Sequence, residues 1–510
     1  MLPLCLALVG AALYPTLLQS AGSDPATSIR ADAPNIVLVY TDDVGYADVS
    51  CYAGCAFETP NIARLAAEGA RFTDAHASAA TCTPSRYALL TGSYAFRNER
   101  ARILPGTAPL IIDPASDTLP KRLRAAGYAT AVVGKWHLGL GNGDVDWNEE
   151  LTPGPREVGF ERSFIVPATG DRTPCVYVED GRVVGLDPDD PIQVSYGPRI
   201  DQGPSGKEAR DTLKMDWSHG HNQTIVNGIS RIGWMTGGQA ARWVDEDMAD
   251  TLTARALAFI EANADRPFFL YFSTHDIHVP RAPHARFVGR SGTGARGDAM
   301  LQTDWCVGEL LRALDAHGLG ENTLVVFTSD NGPVLDDGYV DRANEDLGEH
   351  DPNGPLRAGK YSLFEGGTRV PFLVRWPGKI TPGTVTPALF GQVDLARTLC
   401  LLAGAEVPDA SFPDSRDARA ALVGEDRAGR PHLVLEGPRL ALREGPWKCI
   451  SPGPVQDGLG PWTRATVAAP AALFHLAEDL GEAHDVAAQQ VERVAGMLAR
   501  LERLRAERDR

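Results

Sequence analysis

Short apolar runs alternate with amphipathic stretches along most of the chain from residue 35 onward. The runs at 36–40, 128–133, 268–272 and 324–328 have the length of buried strands. Stretches with helical spacing cover 60–68, 83–91, 119–126, 248–262 and 299–316, and Thr59 is the predicted cap of the first. Strands that alternate with helices in this way predict an α/β fold, in which helices cover a sheet.

Clusters of polar residues follow the ends of the predicted strands. Asp42 and Asp43 come after the first strand, and further clusters occupy 134–137, 275–278 and 330–331. Open α/β sheets bind ligands at the carboxyl ends of their strands. Four polar clusters at this one edge therefore predict a functional site there.

The length of the chain and the spread of its apolar segments predict more than one domain. Its 510 residues exceed the roughly 100–200 of a typical domain. We predict a signal peptide at 1–22, a catalytic domain at 33–404, a linker at 405–431 and a small C-terminal domain at 432–510. Stretches rich in Gly, Pro and Asp at about 139–245 and 336–358 are predicted to be long loops, which either wall the active site or decorate the surface. A hairpin is predicted at 176–184.

Composition and charge exclude some partners. A hydrophobic content of 43% is typical of a globular protein. The formal net charge of −17 argues against nucleic acid as a partner, because phosphate binding needs a basic surface. An anionic substrate must therefore be bound by a local cluster of cations.

The first residues indicate export. Leu2–Leu18 is almost wholly apolar, and the small residues Ser20, Ala21 and Gly22 follow, as in a signal peptide. No Lys or Arg precedes the apolar run, so a membrane anchor is the alternative, although Pro15 interrupts a run already short for a spanning helix. We expect a periplasmic or secreted protein with no membrane span after the signal is removed.

One of the eight cysteines has a distinctive setting. Cys5 would leave with the signal peptide, and the odd number that remains suggests one cysteine with a separate role. Cys51 and Cys55 are spaced for a local disulfide or for two buried thiols, and no second pair completes a zinc pattern. Cys82 lies in Thr81–Arg86, at a predicted helix start that favours an anion. Taken alone, it would be a buried cysteine or a thiolate nucleophile.

The run Thr81–Arg86, followed by Thr91 and Gly92, resembles the maturation motif of the formylglycine-dependent (type I) sulfatases of the alkaline phosphatase superfamily. Other motifs of that family recur in order from about residue 35 to 380, and Arg443–Lys448 resembles its small domain. Tyr87 departs from the small residue usual at its position. The resemblance implies a large mixed, mostly parallel sheet sandwiched by helices, with a small α+β C-terminal domain.

The resemblance also implies roles for particular side chains. A maturation enzyme would convert Cys82 to formylglycine, whose hydrate attacks sulfur with one hydroxyl and releases sulfate through the other. Arg86 and Lys135 would hold the formylglycine oxygens, and His137 would take the proton that drives sulfate release. On the leaving-group side, the family pattern selects His278 over His275. His278 and Lys360 would hold the ester and protonate the leaving alcohol.

Asp42, Asp43, Asp330 and Asn331 offer only oxygen ligands, which suit Ca²⁺ or Mg²⁺ and not zinc. Each pair alone is better explained by a turn or a helix cap. Together they resemble the sulfatase metal site, to which the modified Cys82 also contributes. We expect Ca²⁺, with Mg²⁺ as the second choice. With the metal and three cations, the pocket would carry a net charge of about +2, facing a singly charged ester.

The predicted function is hydrolysis of sulfate monoesters, exo-acting on sulfated glycans, with aryl sulfates as further substrates. Overall similarity favours 6-sulfated galactose or N-acetylgalactosamine. In the first long loop, Asp171 and His221 are predicted to bind a sugar hydroxyl, although ordinary surface residues explain them equally well. The rival hypotheses are a phosphonate or phosphate ester hydrolase of the same superfamily and a catalytically dead protein that binds sulfated glycans.

Overall fold

The computed structural model describes residues 33–459 and 468–507, so the predicted signal peptide lies outside the described residues. A ten-stranded sheet forms its centre. In chain order the strands are β1 (Asn35–Thr41), β2 (Ala70–Phe72), β3 (Ala129–Lys135), β4 (Arg162–Val166), β5 (Val178–Glu179), β6 (Arg182–Val183), β7 (Phe268–Ser273), β8 (Thr323–Ser329), β9 (Phe372–Arg375) and β10 (Thr384–Thr386). Across the sheet the order is β10-β2-β9-β8-β1-β7-β3-β4-β5-β6. The run from β8 to β4 is parallel, and β9, β5 and β6 add antiparallel pairs.

Burial on both faces of the sheet explains why the central strand β1 has a continuously apolar sequence. Ile36, Leu38 and Tyr40 belong to the hydrophobic core on one face of the sheet, whereas Val37 and Val39 belong to the core on the other. Successive side chains of a strand point to opposite faces, so a strand covered on both faces needs apolar residues at every position. The sheet is therefore sandwiched, as the sequence predicts.

Ten α-helices lie in the described ranges. They are α1 (Pro60–Ala67), α2 (Cys82–Thr91), α3 (Leu119–Ala125), α4 (Pro155–Val158), α5 (Met248–Ala262), α6 (Gly294–Ala316), α7 (Glu365–Thr368), α8 (Leu395–Leu402), α9 (Arg419–Leu422) and α10 (Val491–Ala506). Two details of the prediction were wrong. The Thr59 hydroxyl does not cap α1, because it accepts a hydrogen bond from the Ser50 amide at 2.9 Å. Helix α6 begins at Gly294 and not at residue 299.

A second, antiparallel sheet lies near the C-terminus. Its strands, in spatial order, are β11 (Leu433–Glu436), β12 (Leu440–Glu444), β13 (Trp447–Ile450) and β14 (Ala472–His475). Helix α10 packs on β12 and β13. The predicted fold class, a large mixed sheet with a small α+β C-terminal domain, is confirmed. In the segment 405–431, Phe412 and Leu422 join the core of the large sheet, and the exact domain boundaries stay a prediction.

The first long loop contains regular secondary structure. Strands β5 and β6 form the predicted hairpin, with positive φ angles at Asp180 and Gly181, as a tight turn between twisted strands requires.

Cys51 and Cys55 are free thiols, so they form no local disulfide. Within the described ranges, none of the helices combines the length and the apolar character needed to cross a bilayer.

Candidate active site

The carboxyl ends of four neighbouring parallel strands bring the polar clusters together. In register, Thr41 of β1 lies beside Ser329 of β8, and Ser273 of β7 lies beside Gly134 of β3. The residues that follow these positions therefore meet at one edge of the sheet. They include Asp42 and Asp43 after β1, Asp330 and Asn331 after β8, Lys135 and His137 at the end of β3, and His278 after β7.

Cys82 is the first residue of α2 and is only 2% exposed. Its Sγ lies 3.3 Å from Nδ1 of His137. Nε2 of His137 faces the carbonyl oxygen of Leu104 at 3.1 Å, and a carbonyl only accepts, so Nε2 carries the proton and Nδ1 presents a lone pair to position 82. Burial, with the charge of Lys135, holds the pKa of His137 well below its usual value. His137 is thus a neutral base aimed at position 82.

The Cys82 thiol itself is poorly suited to act as an ordinary thiolate nucleophile. Burial raises its pKa, although Lys135 and Lys360 oppose this shift. Thr83 lies in the first turn of α2, and its hydroxyl donates to the carbonyl oxygen of His137 at 3.0 Å. This bond ties the start of α2 to the loop that carries the base.

Three buried carboxylates, Asp42, Asp43 and Asp330, each have a cationic partner. Arg86 donates to Asp330 from Nε at 3.0 Å and from Nη2 at 2.6 Å, and Lys135 donates to Asp42. Nη1 of Arg86 donates to Ser273, and no Arg86 hydrogen bond to a described residue reaches Cys82. Burial and the Asp330 carboxylate raise the pKa of Asp42 to about 7. The Asp42 carboxyl group therefore holds a proton more readily than an exposed carboxyl group would.

Unpaired oxygen atoms in this cluster fit a hard metal ion. Oδ1 of Asp42 and Oδ1 of Asn331 are buried and have no hydrogen-bond partner among the described residues. The amide nitrogen of Asn331 donates to Asp43 at 2.7 Å, which leaves its oxygen available. Ligand atoms of Asp42, Asp43 and His278 lie within 4.8 Å of one another. The donor set is dominated by oxygen, so the site fits the divalent ion predicted from the sequence.

A second group of potential ligands, Asp74, His76 and Glu365, also converges. Cationic side chains of the protein already pair with these residues. Arg443 contacts Asp74 at 3.0 Å, and Lys448 donates to Glu365 at 2.9 Å. This group joins the large sheet to the C-terminal sheet, and its charges are balanced by the protein.

His278 and Lys360 face the carboxylate cluster from its other side. Lys360 Nζ donates to Asp43 at 2.9 Å and to Asp337 at 2.8 Å, and His278 Nε2 lies 4.0 Å from Asp43. Nδ1 of His278 donates to the carbonyl oxygen of Val279 at 2.7 Å. Burial and the charge of Lys360 hold the pKa of His278 well below its usual value. Against the effect of burial, the carboxylates of Asp337 and Asp43 hold the pKa of Lys360 well above its usual value, so Lys360 is charged whereas His278 is neutral.

The other histidine of the 275–278 cluster has a different position. His275 is buried, and its Nε2 has no hydrogen-bond partner among the described residues. A Cβ at Gly170 would lie 2.0 Å from that nitrogen. His275 therefore packs against the turn that carries Asp171.

Asp171 and His221 are brought together from distant points of the first long loop. Oδ2 of Asp171 accepts from His221 Nε2 at 2.9 Å, and both side chains are buried. Oδ1 of Asp171 accepts from Thr169 and from Arg172 Nη1, the latter at 3.3 Å. Arg172 and His221 hold the pKa of Asp171 well below its usual range, against the effect of burial. The turn that carries Asp171 packs against His275, whose ring centroid lies 6.0 Å from that of His278, so the pair lies close to His278.

Several side chains of this site are absent from the sequence prediction. Ser273 accepts from Arg86, Arg172 acts electrostatically on His137 and Cys82, and Asp337 binds Lys360 and the Tyr361 hydroxyl. Ser273 directly follows the predicted strand at 268–272, so the rule that located the other clusters could have found it. Asp337 lies in a loop without periodicity, and no sequence signal marks it.

Comparison with known proteins agrees with this geometry. The profile of the sulfatase family matches residues 34–405. The chain is 47% identical over 478 residues to N-acetylgalactosamine-6-O-sulfatase of Bacteroides thetaiotaomicron, with 93% of each protein covered. It is 35% identical over 419 residues to human arylsulfatase A, covering 79% of this chain and 71% of that protein.

A solved structure from work on glycosaminoglycan metabolism by Bacteroides thetaiotaomicron superimposes with a TM-score of 0.91 and 46% identity. The superposition covers 94% of this chain and 100% of that one. The large sheet and the C-terminal sheet are therefore both shared with that protein.

Proposed function

Because this chain belongs to the sulfatase family, and is thus a type I sulfuric ester hydrolase of the alkaline phosphatase superfamily, we propose that it removes the 6-O-sulfate from N-acetylgalactosamine or galactose in sulfated glycans. The main support is the similarity to N-acetylgalactosamine-6-O-sulfatase, which extends over 93% of both proteins. A second support is the Asp171–His221 pair beside the catalytic cluster.

We infer that position 82 carries formylglycine, whose hydrate supplies the hydroxyl that attacks sulfur. His137 presents a lone pair to this position and accepts the proton when sulfate is released. Lys135, held by Asp42, adds positive charge beside it. Cys82 is almost fully buried, so a maturation enzyme would have to reach it before the chain has folded.

Asp42, Asp43, Asp330 and Asn331 would hold a divalent cation, Ca²⁺ before Mg²⁺, together with an oxygen of modified Cys82. Such a cation polarises a sulfate oxygen and lowers the pKa of the attacking hydroxyl. Arg86 supports this set by holding Asp330 through two hydrogen bonds.

The leaving alcohol would lie between His278 and Lys360. Lys360 has a proton to donate in the resting state. His278 must first gain a proton at Nε2, which the negative charge of a bound ester favours. The two side chains then share the stabilisation of the leaving oxygen.

Asp171 has room for one sugar hydroxyl. A carboxylate offers about four lone-pair sites. Thr169 and Arg172 use the two on Oδ1, and His221 uses one on Oδ2. The remaining site, next to His221, would accept a hydrogen bond from the sugar that carries the sulfate.

The remaining expectations concern where the enzyme works. We propose that it is exported through the signal peptide predicted at 1–22 and acts in the periplasm or outside the cell. A substrate panel tests the central proposal. The matured enzyme should act faster on N-acetylgalactosamine 6-sulfate than on its 4-sulfate or on N-acetylglucosamine 6-sulfate. Faster turnover of phosphonate or phosphate monoesters than of any sulfate ester would contradict it.

A further inference from the structure

The most informative unassigned side chain of the site is Asp337, in the second long loop. One of its carboxylate oxygens accepts from Lys360 Nζ at 2.8 Å, and the other accepts from the Tyr361 hydroxyl at 2.8 Å. His278 Nε2 lies 3.8 Å from the same carboxylate. Asp337 thus touches both groups on the leaving-group side.

We propose that Asp337 is a positioning residue that holds the Lys360 ammonium against the bridging oxygen of the sulfate ester. This proposal rests on the proposed function. An ammonium has three N–H donors, and Lys360 uses two of them on Asp43 and Asp337. The third is left for the ester. A lysine side chain is flexible and its ammonium rotates freely, so its direction depends on such partners.

The two partners of Lys360 are not equivalent. Asp43 belongs to the predicted metal site, and a bound cation would compete with Lys360 for its negative charge. Asp337 accepts its hydrogen bonds from Lys360 and Tyr361, and none of the predicted metal ligands among the described residues bonds to it, so a bound cation would compete less for its charge. In the loaded enzyme, Asp337 is therefore the partner that fixes the ammonium.

The backbone around Asp337 is built to hold it in place. The buried Arg281 donates to the carbonyl oxygens of Val334 at 2.7 Å and Leu335 at 3.0 Å, and it pairs with Asp341 at 2.6 Å. On the other side, the amide of Ser218 donates to the carbonyl oxygen of Gly338 at 3.0 Å. These contacts anchor the loop on both sides of Asp337.

The test replaces Asp337 by Asn, which keeps the shape and removes the charge. For a sugar sulfate, kcat should fall by about 10- to 100-fold with little change in KM, because a misplaced group mainly affects the transition state. The loss should be smaller for an aryl sulfate, whose phenolate leaves without full protonation. Asp337→Glu should recover part of the loss. Asp336→Asn, one residue earlier and bonded to Ser218, is the matched control and should keep wild-type kinetics.

A double-mutant cycle identifies the partner through which Asp337 acts. In a Lys360→Met background, adding Asp337→Asn should change kcat by less than about twofold, since the group that it positions is gone. The full loss in that background, or a loss confined to KM, would overturn the proposal, as would an Asp337→Glu variant no better than Asn. The two substrates separate the outcomes: if the wild type hydrolyses neither, the proposed function fails, and if only the sugar is misidentified, the loss can still be measured on the aryl sulfate.

Discussion

Replacing Asp171 by Asn tests the proposed sugar contact with the smallest change in shape. The side chain is almost fully buried, and three of its lone-pair sites are already used. If the new amide nitrogen takes the place of Oδ2, it faces the His221 N–H and removes the acceptor for the sugar. If it takes the place of Oδ1, it faces the donors of Thr169 and Arg172. In either orientation the negative charge is lost.

The size of the effect follows from the lost bond. A hydrogen bond to a charged group contributes about 1.5–3 kcal/mol. At about 1.4 kcal/mol for each factor of ten, kcat/KM for the sugar sulfate should fall roughly 10- to 150-fold. An aryl sulfate has no hydroxyl to place at this position, so its kcat/KM should stay within about threefold of wild type.

The assay compares both substrates in Asp171→Asn and in the control variant Asp201→Asn. Asp201 lies in the same long loop and forms an ion pair with Arg199 at 3.0 Å. It accepts a hydrogen bond from the Thr224 hydroxyl at 2.6 Å and bonds to none of the predicted site residues in the described ranges. It should leave both substrates unaffected. Equal losses on sugar and aryl sulfate in Asp171→Asn, or no loss on either, would refute the sugar contact.

Three further predictions follow from the site. Chelation should abolish activity and Ca²⁺ or Mg²⁺ should restore it, with Asp330→Ala behaving like the chelated enzyme; recovery with zinc alone would contradict the oxygen-ligand assignment. His278→Ala should slow hydrolysis of a sugar sulfate far more than that of an aryl sulfate, whose phenolate leaves without full protonation; equal losses on both substrates would count against a role for His278 at the leaving group. His137→Ala should give a burst in which released alcohol exceeds released sulfate. His221→Ala should raise KM for the sugar sulfate alone, because the His221 ring contacts Asp171, the proposed sugar ligand, at 2.9 Å; unchanged KM would show that His221 does not bind the sugar.

The strands and the location of the site could be predicted because they depend on local patterns. A strand buried on both faces, such as β1, needs a continuous apolar run, and polar residues directly after it must lie at the sheet edge. This reasoning places Asp42, Asp43, Asp330 and Asn331 at one edge without any knowledge of the strand order.

Other features depend on contacts between distant parts of the chain. The first turn of α6 carries Arg296, which pairs with Asp48 at 2.5 Å, so no apolar period marks the true start of the helix. The hydroxyl of Thr59 serves Ser50 instead of the helix that it precedes. Asp337 reaches Lys360 from a loop that Arg281 anchors, and nothing near Asp337 in the sequence indicates either partner.

The mass of the peptide Phe72–Arg86 tests the central claim most directly. Trypsin should release this segment intact, because it contains no internal Lys or Arg. In active enzyme, mass spectrometry should show position 82 as formylglycine, with the thiol of the cysteine replaced by an aldehyde oxygen. The fraction of converted peptide should rise and fall with specific activity across preparations. Full activity in a sample that contains only unmodified Cys82 would contradict the account.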